Sequence, residues 1–113
     1  MQTMSLEAIA REQLDAARGS TAGRSAKSVF GGHEHALRQN VVALTAGSSL
    51  SEHENPGEAT VHVLVGHIRL ATGEQSWEGR PGELIVVPDA RHSVDALEDS
   101  AFLLTAVPRG HTS

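Results

Sequence analysis

Two stretches decide how this chain folds: GSSLSEHENPGEATVHVLVG at residues 47–66 and GELIVVPDARH at residues 82–92. Each opens on a glycine and carries a histidine beside an apolar run of strand length. In the first, His53 and Asn55 stand two apart, so an extended chain turns both to one face. Pro56-Gly57 then makes a turn, and Ala59, Val61 and Val63 share one face of the strand that follows. Glu58 and His62 alternate onto the other face, unless a bulge shifts the register by one. In the second stretch, Leu84–Val87 is a short apolar strand ended by Pro88, and His92 opens the next.

Outward from these motifs the same punctuation continues. Runs at Leu37–Leu44, Ala59–Val65, His67–Leu70, Leu84–Val87, His92–Ala96 and Ala101–Val107 lie between glycines and prolines. That spacing predicts an antiparallel sandwich or barrel. Val61–Val65 and Leu84–Val87 are almost wholly apolar, which predicts burial on both faces, against a helix or a second subunit. The strand pattern begins at Ala26. Before it, Ser5–Arg18 reads as a helix: Ser5 is the N-cap, Glu7 sits in the first turn, and Leu6, Ile9, Leu14 and Ala17 form an apolar stripe. Gly19 ends it, and a small polar linker follows. The expected organisation is helix and linker over 1–25, a β-domain over 26–108 and a tail over 109–113.

Composition narrows the function. With 113 residues, 39% of them hydrophobic, the chain has room for one core. Aromatic residues are limited to Phe30, Phe102 and Trp77, so Val, Leu, Ile and Ala must fill it. A net charge of −5 argues against a nucleic-acid surface. The absence of cysteine removes disulfides, thiolate metal sites and a Cys nucleophile. No segment approaches the roughly 18 apolar residues of a membrane span, and the polar N-terminus does not read as a signal peptide; a cytoplasmic protein is the expectation. Seven histidines, at 33, 35, 53, 62, 67, 92 and 111, stand out in so small a chain.

The two motifs resemble those of the cupin superfamily, its small single-domain members in particular. Gly47, His53, Asn55, Ala59 and Gly66 fall at the spacing of the first cupin motif. Gly82, Pro88 and His92 follow the second, and the hairpin-like stretch from Gly66 to Pro81 separates them. The resemblance covers about residues 37 to 107. It implies an all-β fold, a single cupin (jelly-roll) antiparallel β-barrel preceded by a short N-terminal α-helix. It also implies a site between the sheets, since metal-binding cupins carry His, His, Glu or Gln, and His at the four positions held here by His53, Asn55, Ala59 and His92. Asn55 is a weak neutral donor and Ala59 supplies none, so the pattern is half kept. A divalent transition metal (Zn, Ni, Mn or Fe) on His53 and His92 is one reading, with Asn55, Glu58 and His62 as further donors. A metal-free pocket for a small polar ligand is the alternative.

The remaining residues add less. Val61 and Val63 lie on the face that would line the pocket. Arg69 would bind a carboxylate if it pointed inward, although a surface ion pair is the commoner fate. Trp77 would line the mouth or pack. His33 and His35 read as solvated loop residues, and His67 as facing solvent or a subunit contact. Ser93 lacks a nucleophile elbow. The expected protein acts on or binds a small molecule as a homodimer, with no nucleic-acid or membrane partner. Catalysis is left open: a non-catalytic sensory module remains the alternative.

Overall fold

The computed structural model describes residues 1–53 and 57–108, positions 52 and 53 through their backbone. Helix α1 (Leu6–Arg18) begins where the Ser5 hydroxyl accepts the Ala8 N–H at 3.1 Å. Its first and last turns carry Glu7 and Arg18, the signs that suit the helix dipole. Ile9, Ala10, Leu14 and Ala17 form its buried stripe.

Among the described residues nine strands follow: β1 (Arg24–Phe30), β2 (Arg38–Leu44), β3 (Ser49–His53), β4 (Gly57–Val65), β5 (Ile68–Ala71), β6 (Ser76–Gly79), β7 (Leu84–Val86), β8 (His92–Ala96) and β9 (Ser100–Pro108). They pair antiparallel into a five-stranded sheet, β1-β2-β9-β4-β7, and a four-stranded sheet, β3-β8-β5-β6. This is a jelly roll of two facing sheets. Among the described residues no ladder joins their edges, so the barrel expected from sequence is a sandwich in hydrogen-bond terms.

Alternation sorts the faces. Val42, Leu44, Val61, Val63, Ile85 and Phe102 from the larger sheet meet Ile68, Leu70, Val94 and Ala96 from the smaller one. On the outer face of the larger sheet, Ala43 and Ala101 are register partners. Their small side chains let Ala10, Leu14 and Ala17 of α1 close down, with Leu64 and Val65 packed beside them. The helix thus explains why Val41–Leu44 is buried throughout.

Several expectations change. Strand β1 starts at Arg24, two residues before the expected Ala26, and β1, β3 and β6 were not legible as apolar runs. The two-faced burial expected of Leu84–Val87 fails: Ile85 is inside, but Leu84 and Val86 are 60% and 73% exposed. Strand β7 is an edge, and α1 covers the same outer face only toward the opposite edge, mainly over β1 and β2. His67 does not face solvent. It is 9% exposed, and its Nε2 lies 2.6 Å from Glu78 Oε1.

Candidate functional site

At one end of the sandwich β2, β4 and β8 begin and β3, β7 and β9 end. The register fixes what faces inward there. Arg38 is opposite Ala106 and Ala106 is opposite Ala59, while the Val87 N–H donates to the Ala59 carbonyl at 3.0 Å. One inner-face row of the larger sheet therefore reads Arg38, Ala106, Ala59, Val87. In the smaller sheet the backbones of His53 and His92 are opposite each other, beyond a register shift that follows Leu50.

His92 is 5% exposed and shares its face with the core residues Val94 and Ala96. Its Nδ1 lies 3.0 Å from the Ala90 carbonyl. A carbonyl only accepts, so Nδ1 carries the proton, and in a neutral ring Nε2 is left as the acceptor. That tautomer is the one a ligating imidazole needs. Ala59 is also on the inner face, where it packs on the edge of the core.

Glu58 and His62 alternate with Ala59, Val61 and Val63 onto the outer face. The β4–β9 register is regular from Gly57 to Val63, so no bulge turns either inward. Val61 and Val63, 1% and 0% exposed, are packed core and form a floor rather than a wall. Arg69 points away from Ile68 and Leu70, its Nη2 3.6 Å from Asp95 Oδ2. Trp77 pairs with Leu70 at the edge of the smaller sheet and is 38% exposed. Asn55, His111 and the side chain of His53 lie outside the described residues. Among the described residues no three His, Cys, Asp or Glu side chains converge as a metal site. Of the cupin ligand positions that are described, His92 thus fits a metal and Ala59 does not.

A recess of about 490 Å³ at this end is lined largely from the outer face of β4, β7 and β9, through Glu58, Thr60, Val86 and Val107, with Ala59 and Val87 also in its wall. His92 is not in its wall; Ala59 belongs to both the recess and the inner face. The sequence reading passed over Arg38 and Asn40. The signal was present: counting back by twos from the buried Leu44 and Val42 reaches Asn40 and Arg38.

Comparison with known proteins agrees at the level of fold. No family model matches the chain, and no curated protein matches its sequence. A conserved protein of unknown function from Streptococcus pyogenes superposes with TM-score 0.71 at 22% identity, covering 81% of this chain and 80% of that one. A cupin superfamily protein from Desulfitobacterium hafniense gives 0.68 at 16% identity, covering 75% and 77%. KdgF from Halomonas sp. gives 0.66 at 22% identity, covering 80% and 83%. The chain has the cupin fold.

Proposed function

We propose that this protein is a small-molecule-binding cupin domain whose ligand enters the open end of the sandwich over His92. The observation that carries the reading is His92 itself: a nearly buried polar ring at the strand ends, tautomer fixed by Ala90, above an apolar floor. A polar ring so placed gives orientation while the floor gives burial, the usual division of labour in a ligand pocket.

The tautomer of His92 also favours a second reading, in which His53 and His92 hold a divalent transition metal, Zn, Ni, Mn or Fe. Bound there, the ion would act as a Lewis acid toward a ligand oxygen. With Ala59 in place of a carboxylate, the remaining coordination falls to ligand and water, and the affinity is correspondingly weak. A homodimer belongs to either reading, since Leu84 and Val86 expose apolar surface on an edge strand.

Elemental analysis of tag-free protein, with His53→Ala and His92→Ala alongside, separates the two readings. Near-stoichiometric metal lost in both variants supports the metal centre. Folded proteins that are all metal-free leave the metal-free ligand pocket.

A further inference from the structure

We propose that the ligand is a small monocarboxylate and that Arg38 is the residue that recognises it. The inference deepens the reading above and rests on it for the location of the site. Arg38 opens β2 on the inner face, in line with Asn40, Val42 and Leu44, the last two of which lie in the core. Its Nε is closed off from solvent and has no hydrogen-bond partner among the described residues. Arg18 and Arg69 have carboxylates within ion-pairing distance, and among the described residues Arg38 has none.

A guanidinium stays charged at any pH a protein survives. An N–H of that group removed from water without an acceptor costs about 1–3 kcal/mol. Donors of this kind are kept where something else supplies the acceptor. The neighbours of Arg38 indicate what that is. Across the sheet its row continues through Ala106 and Ala59 to Val87, so its neighbours in that row carry only alkyl side chains, and Asn40 is the polar residue next to it on its own strand face. Leu104, opposite Asn40, extends the apolar surface one level down.

One cation bordered by methyl groups suits one carboxylate with a short apolar body. Nε and an adjacent Nη present the two parallel donors that a carboxylate accepts in a fork. Phosphate is disfavoured, because a dianion draws several cations or a ring of backbone amides. The residue as a whole is half-buried while its Nε is covered, so an entering carboxylate must displace what covers that atom before the fork closes.

The test is calorimetric titration of the full chain with acetate, pyruvate and benzoate, each beside its neutral amide. The expected result is binding of at least one acid, with the matching amide at least tenfold weaker. Arg38→Gln should remove that preference, and Arg38→Lys should recover only part of it, because an ammonium has no fork. Ala106→Glu guards against a variant that fails to fold. It offers Arg38 an internal carboxylate, so it should raise thermal stability and abolish acid binding. Equal affinity for acids and amides, unchanged binding in Arg38→Gln, or no acid bound by the wild type overturns the role of Arg38. Failure of the underlying site reads out separately: acid binding lost in Arg38→Gln but unaffected by His92→Ala would keep Arg38 and move the site away from His92.

Discussion

His67 shows how much one side chain's setting can depart from its place in the alternation. It follows Gly66, whose φ of 86° turns the chain between β4 and β5. A Cβ at Gly66 would lie 2.3 Å from both the Asp99 carbonyl oxygen and Ser100 Oγ, so only glycine fits. The turn carries His67 under the Ser100 hydroxyl, which accepts its N–H at 3.0 Å, and brings its ring against Glu78. His67→Ala removes a nearly buried ring and its contact with Glu78 while the backbone N–H keeps Ser100, and should cost about 0.5–3 kcal/mol, read from urea denaturation. Period-two counting assigned this residue to solvent because it treats a turn as strand. Ala59 supplies the matching test for metal: Ala59→Glu places a carboxylate on the inner face and should raise affinity for added Zn or Ni at least tenfold by calorimetry. Unchanged affinity would count against a metal at His92.

Among the elements, α1 is fastened twice. Leu14 packs onto Ala43 and Ala101, and Leu14→Ala should cost about 2–5 kcal/mol in chemical denaturation. At its far end Arg18 Nε donates to Asp99 Oδ2 at 3.0 Å, while Asp99 Oδ1 accepts the Ala46 N–H at 2.8 Å. The Ala46 amide and then Arg18 hold the Asp99 carboxyl below its ordinary value of 3.8. The unfolded chain therefore takes up this proton first as pH falls. The stabilisation is complete above the unfolded value and disappears as pH drops through the folded one. Asp99→Asn should flatten the acid limb of the stability profile between roughly pH 5 and 2 relative to wild type, followed by thermal melts. The helix was legible through its cap and stripe. Strands β1, β3 and β6 were not, because RSAKSVF, SLSEH and SWEG carry too few apolar residues to mark a face. Their pairing comes from neighbours far away in the chain.

At the scale of the whole molecule, the jelly roll was legible from two glycine-bounded motifs, and its edges were not. The apolar tract at Leu84–Val87 promised cover on both sides, but α1 covers the larger sheet only on the side away from β7. A symmetric pair joined along β7 would cover Leu84 and Val86 on both copies. Light scattering at micromolar concentration should give a dimer, and Leu84→Glu combined with Val86→Lys should give a folded monomer. A wild-type monomer would contradict it.

Gly79 sets one more limit. A Cβ there would come within 2.9 Å of Val63 and 3.1 Å of Ile85, so the sheets already touch at that depth. Any molecule entering from the strand ends comes to rest on this closed base. In a homologous series of straight-chain acids, affinity should climb by about 0.8 kcal/mol for each methylene that still finds protein around it. It should then level off, since every further carbon trails outside in water. The chain length at the break would measure, in carbon atoms, how deep the cup is.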